Sequence, residues 1–180
     1  MLNSLHIGFH RPSGILQTLS SRSAMIIFRD GAYKACRAVY TKTGTLSPWN
    51  ASKGAYIETE RVFTESDVLA FSSLTGDVNS VHFQPSKQFQ RPIVHGILVA
   101  SLFSYLVSFD GAIYVKQSLE FKAPVFVGCP VYARVEVTES RVRSRGTFAT
   151  CSTLCLIDER KTIAIEGTAV VILPAVESDV

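Results

Sequence analysis

The stretch Phe71-Ser72-Ser73-Leu74-Thr75-Gly76-Asp77-Val78-Asn79-Ser80-Val81-His82 decides how the rest of the chain is read. Gly76 follows an apolar-periodic run and can take the left-handed conformation that ends a helix. Asp77 and Asn79 then fall in a turn, where short polar side chains bond their own backbone. Such a turn can aim Asp77 and His82 at one point in space. A carboxylate and an imidazole that share one small volume can hold a water and move protons in both directions. Either residue alone would read as an ordinary cap or a surface histidine; their combination beside the glycine points to chemistry.

Upstream, Tyr56 to Phe63 alternates loosely and predicts a strand. Thr64-Glu65-Ser66-Asp67 has the form of a capping box with aspartate in the usual glutamate place. Val68, Leu69, Phe71 and Leu74 give the following helix an apolar stripe. Downstream, residues 83–91 form a polar connector. Pro92 to Phe109 then contains no Asp, Glu, Lys or Arg, close to the ~18 residues of a membrane span. His95, Gly96, Ser101, Ser104 and Ser108 are poor company for lipid, so this segment predicts the buried central helix of a fold rather than a span. Beyond Asp110-Gly111 the period changes to that of strands, over residues 112–121, 131–138, 146–157 and 162–173. Asp158-Glu159-Arg160-Lys161 makes the last turn. Helices followed by a run of long antiparallel strands define an α+β class, with the main helix on one face of the sheet.

Charge divides the chain. Residues 1–50 hold six Lys/Arg and one acid, Asp30, while residues 51–180 hold twelve Lys/Arg and fourteen acids. The basic segment is rich in Ser and Thr and carries Arg11, Arg22, Arg29 and Arg37 among short apolar patches. It reads as a disordered extension of the mitochondrial targeting type, addressed to the matrix. Residues 51–180 read as one folded domain. Cys151 and Cys155 share a strand face and read as small buried apolar groups. Cys36 and Cys129 complete the cysteines, and no paired spacing marks a zinc site. A slightly acidic folded part without a basic–aromatic platform excludes a nucleic-acid surface. No phosphate loop, dinucleotide fingerprint or metal motif is present, so neither cofactor nor metal is expected.

With Phe71, Thr75, Gly76, Asp77, Asn79, Val81 and His82, the opening stretch resembles the signature of the MaoC-like hydratases, also called hydratase 2. Ser80 departs from it, since proline is usual there. The resemblance extends over residues 56–174 and is greatest to the mitochondrial 3-hydroxyacyl-thioester dehydratases of type 2. It implies a hot-dog fold, a sheet wrapped around the central helix, paired as a homodimer. It also implies reversible dehydration of (3R)-hydroxyacyl thioesters carried by acyl carrier protein or coenzyme A. In that reading Asp77 and His82 are the acid–base pair, in an order the sequence does not rank, and Asn79 orients the loop, His82 or the water. The backbone N–H of Gly96, at the start of the central helix, would meet the thioester oxygen. His95 beside it reads as structural.

Arg91, together with the alternating Arg141, Arg143 and Arg145, offers candidate contacts to a carrier phosphate; the plainer reading of the three is a solvated sheet edge. Residues 83–94 are shorter than in relatives, and the link from the central helix to the next strand is short as well. The first change is expected to widen or open the acyl pocket, to shorten the preferred acyl chain, or to impair folding. Two rival functions remain: a hot-dog thioesterase, or an acyl-binding protein without turnover.

Overall fold

The structure is a computed structural model, and it describes residues 41–174. The targeting reading therefore falls on residues outside those described, as does Cys36. The unit considered is the one that contains residues 41–174. Its elements are β1 (Thr43–Gly44), β2 (Tyr56–Val62), α1 (Glu65–Thr75), a 3-10 turn (Ser80–His82), α2 (Gly96–Leu106), β3 (Ile113–Phe121), β4 (Pro130–Arg143), β5 (Gly146–Ile157) and β6 (Thr162–Leu173).

All strand pairs are antiparallel, in the order β1-β2-β4-β5-β6-β3. The long strands β4, β5 and β6 form the middle, and α2 lies against β2, β4 and β5. The alternation read from sequence is the burial observed. Val131, Ala133, Val135 and Val137 face inward from β4, and Ala149, Cys151, Thr153 and Cys155 from β5. They meet Val99, Leu102, Phe103 and Leu106 of α2 in one core. Burying each such side chain contributes about 1.5–3 kcal/mol relative to exposure.

Close backbone approach fixes the sheet at one point. A β carbon at Gly167 would lie 1.9 Å from the carbonyl oxygen of Ser118 on the neighbouring strand. Only glycine lets β3 and β6 pair there. At the other side of the sheet, Thr43–Gly44 pairs with Ile57 and Glu58, and Leu46 is buried. The packed region thus starts at Thr43, within the stretch that the sequence reading assigned to the extension, eight residues before residue 51.

Three expectations change in detail. The stripe on α1 is only half inward: Val68 is buried with Ser72, whereas Leu69 and Leu74 are exposed. Inward positions recur at i and i+4, so Val68 and Ser72 share the inward face while Leu69 and Leu74 fall outside it. The central helix is not enclosed on all sides, because Ile97, Ser101 and Ser104 line an exposed side, and Ser108 falls beyond its end. Finally, β4 runs to Arg143, so Arg145 lies in the two-residue hairpin turn and not on the strand face.

Candidate active site

Local chemistry builds the turn that carries the acid. Thr64 and Asp67 close a reciprocal capping box at the start of α1. Gly76 ends the helix with φ 78° and returns its N–H to the Ser72 carbonyl. Asp77 follows. Its Oδ1 accepts from the Asn79 N–H at 3.2 Å, which leaves Oδ2 to face inward. Asn79 Oδ1 in turn accepts from the Val81 N–H at 3.4 Å, capping the 3-10 turn that ends in His82. Asn79 thus shapes the loop, and its recorded side-chain bond goes to that backbone rather than to the His82 ring.

The connector brings the second half of the site to the first. Ile93 donates its N–H to Val81 and forms a bridge with Phe126, while Val94 donates to Val125. These bonds hold His95 and Gly96 at the start of α2, next to the turn. His82 Nδ1 lies 2.8 Å from the Ile93 carbonyl oxygen. A carbonyl only accepts, so in the neutral ring Nδ1 carries the hydrogen and Nε2 keeps the lone pair. That basic nitrogen stands 3.9 Å from Asp77 Oδ2. The separation is too long for a direct hydrogen bond and suits one bridging water.

His95 belongs to the same cluster. It is buried, its ring stacks on His82 with centroids 3.6 Å apart and planes inclined by 25°, and Phe71 lies on it at 4.9 Å. Its Nε2 lies 3.2 Å from the Asp77 carbonyl oxygen, 3.2 Å from Ser72 Oγ and 3.9 Å from Asp77 Oδ2. Sequence reading gave this residue a structural rather than a catalytic part. The adjacent sequence His95-Gly96 gave no signal of the contact, which depends on how the two helix ends meet. Asp77, His82 and His95 together offer three ligand-type atoms within 4.8 Å of one another. The donor set suits a metal poorly, because the His95 nitrogen in question must carry its hydrogen to bond the Asp77 carbonyl.

A cavity of about 530 Å³ opens beside this cluster, a volume typical of small-molecule sites. His82, Gly96 and Ile97 line it, with Gln88 and Phe89 from the connector and Phe121 and Ile165 from the sheet. Its surface is mostly apolar, with His82, Gln88 and Lys122 as polar exceptions. Lys122 is tied to Glu120 and Glu166. Those hydrogen bonds raise the ammonium above its ordinary range and hold Glu120 below its own. Gly96 also has a packing role: a β carbon there would lie 2.6 Å from Cε1 of Phe121.

The arginines are placed elsewhere. Arg91 turns its guanidinium onto residues 126–129, donating to the Val127 carbonyl at 2.9 Å and contacting Cys129 Sγ at 3.7 Å. Arg141 and Arg143 line a groove with Phe148 and Thr150 that shares no residue with the cavity, and Arg141 pairs with Glu139 at 3.4 Å. The four do not converge on the Asp77–His82 pair.

A helix-backed antiparallel sheet with an acid–imidazole pair at an apolar cavity defines a hot-dog hydratase. Residues 50–154 match the MaoC like domain, and the chain belongs to that family. It is 34% identical over 127 residues to the mitochondrial 3-hydroxyacyl-[acyl-carrier-protein] dehydratase of Arabidopsis thaliana, covering 67% of this chain and 76% of the relative. It is 44% identical over 120 residues to the (R)-specific enoyl-CoA hydratase of Aeromonas caviae, covering 62% of this chain and 87% of the relative. The solved structure of the A. caviae (R)-hydratase involved in PHA biosynthesis superposes with a TM-score of 0.63 at 41% identity, over 68% of this chain and 97% of that one.

Proposed function

We propose that this chain is a hydro-lyase that reversibly converts (3R)-hydroxyacyl thioesters into trans-2-enoyl thioesters. The observation that carries this reading is the facing of Asp77 Oδ2 and the basic Nε2 of His82 across 3.9 Å, where His82 also lines an apolar cavity. Dehydration needs a base at C2, an acid for the departing C3 hydroxyl, and donors for the charge that builds on the thioester oxygen. His82, whose lone pair faces Asp77, takes the C2 proton. Asp77, half exposed, hands a proton to the leaving hydroxyl and, in the reverse direction, holds the incoming water. Gly96 opens α2 and lines the same cavity. The first-turn N–H groups of a helix have no intrahelical acceptor, and one of them meets the thioester oxygen. Removing one such donor typically lowers turnover by about 100–1000-fold.

The substrate is an acyl chain on acyl carrier protein, an intermediate of mitochondrial fatty acid synthesis in the matrix. The basic, hydroxyl-rich N-terminal segment and the mitochondrial Arabidopsis relative support that placement. The working unit is a homodimer. The free edge strand β3 leaves Ile113, Val115 and Phe121 exposed, with Ile97 of α2 also exposed, more apolar surface than an unpaired edge ordinarily shows. No helix among the described residues is long and apolar enough to cross a membrane.

The test is a spectrophotometric assay with a short trans-2-enoyl-coenzyme A. Loss of the conjugated enoyl absorbance, with a 3R-hydroxy product, is the expected result. Release of free thiol without that loss would make the chain a thioesterase, and binding without either change would make it an acyl-binding protein.

A further inference from the structure

We propose that His95 is the positioning residue of the site, holding the acid and the base by two separate means. One is a hydrogen bond. Its Nε2 faces the main-chain carbonyl of Asp77 at 3.2 Å, which fixes the Asp77–Val78 peptide, one residue beyond the left-handed Gly76. The other is a ring face. The His95 imidazole stacks on that of His82 with centroids 3.6 Å apart and planes inclined by 25°, so the base cannot tip about its outer bond away from Asp77. The proposal rests on the acid–base reading given above.

The surroundings of His95 show why this ring stays in place. Ser72, itself buried, reaches it from the last turn of α1, and Phe71 covers another side. The residue caps α2 without using its side chain for the cap, so the ring is free for the cluster. Its side chain is buried, and it acts through the Asp77 carbonyl and the His82 ring that it contacts. Its Nδ1 is buried without a hydrogen-bond partner among the described residues. A buried polar atom left unpaired is destabilising. An ordinary core position would be better served by leucine or phenylalanine, so the imidazole is present for what its other nitrogen and its face do.

Two substitutions separate the two means. His95→Gln keeps an N–H donor for the Asp77 carbonyl and removes the stacked ring. His95→Phe keeps a ring against His82 and removes the donor. Each is expected to lower kcat by about 10–100-fold with KM for a short enoyl-coenzyme A changed by less than about threefold. His95→Leu, which lacks both, is expected to lose about 1000-fold. Nitrogen-15 NMR of the ring nitrogens supplies a readout independent of turnover: wild type shows His82 as the single tautomer with hydrogen on Nδ1, and His95→Gln shows a mixture. Turnover within threefold of wild type in both single variants, or an unchanged His82 tautomer in His95→Gln, overturns the proposal. So do losses that only follow a lowered Tm. If wild-type protein turns over no enoyl thioester at all, the acid–base reading fails, and the NMR arm still decides whether His95 orders His82.

Discussion

Asp77 and His82 face each other with Oδ2 and Nε2 3.9 Å apart, although the turn between them has no regular structure beyond a single 3-10 step. Asp77→Asn and His82→Ala each remove one proton carrier while leaving the loop bonds of Asn79 intact. Both are expected to lower the hydration rate of a trans-2-enoyl thioester by at least about 1000-fold, with Tm shifted by no more than a few degrees. Steady-state kinetics beside a thermal melt provides the check; rates within tenfold of wild type in both variants would discard the mechanism.

Gly96 combines two demands, and a pair of variants resolves them. In Gly96→Ala the new methyl group would meet the half-exposed Phe121 ring at 2.6 Å. That ring lines the cavity and has room to swing. We expect at least about a tenfold loss of kcat/KM. Adding Phe121→Leu should recover Tm and only part of the turnover. Full recovery of turnover would reduce Gly96 to a packing residue.

Gly167→Ala has no such escape, because the obstacle is the Ser118 main-chain oxygen at 1.9 Å. The strands must part or the edge strand must leave. The expected cost is about 4 kcal/mol or more, a fall in Tm of more than about 10 °C. Differential scanning calorimetry measures it, and β3 amides should lose hydrogen-exchange protection first.

The buried thiols give the stability a pH dependence. Burial pushes Cys151 from the ordinary thiol value of 9.0 up to about 11, and Cys155 to about 12. Both are raised above their unfolded value, so their contribution is full below pH 9.0 and is lost as pH rises through about 11–12. Iodoacetamide at pH 8 is expected to modify Cys129 and to reach Cys151 and Cys155 only after unfolding. A Cys151→Ala/Cys155→Ala variant should show a smaller drop in Tm between pH 8 and pH 10.5.

The groove of Arg141 and Arg143 is separate from the cavity. Reversing both charges to glutamate is expected to leave KM for a carrier-bound substrate within about twofold across low and moderate salt. A steep, salt-dependent rise in KM would instead make this groove the carrier's docking surface.

Local sequence made much of this legible. The capping box at Thr64 and Asp67, the stop at Gly76 and the turn at Asp158–Lys161 all depend on residues within a few positions of one another. The long strands announced themselves by alternation, and their ends at Ile157 and Leu173 follow the reading closely. The meeting of Asp77 and His82 was also legible, since one short turn carries both. What was not legible lies across distance in the chain. The stack of His95 on His82 requires the connector to fold back through Ile93, and the contact of Gly96 with Phe121 requires β3 to pass the start of α2. The exposure of Leu69 and Leu74 likewise depends on which neighbours arrive. Periodicity reports that a face is apolar; it does not report what covers it.

The β4–β5 hairpin turns at Ser144-Arg145, with Arg141, Val142, Arg143 and Arg145 all exposed and no residue of the turn in the cavity. Asp77 and His82 ride instead on the turn between the end of α1 and the 3-10 step. The hairpin tip is therefore a natural attachment point: a fluorophore, an affinity tag or a surface linker placed there would report on or immobilise the protein while the proton-transfer machinery stays untouched.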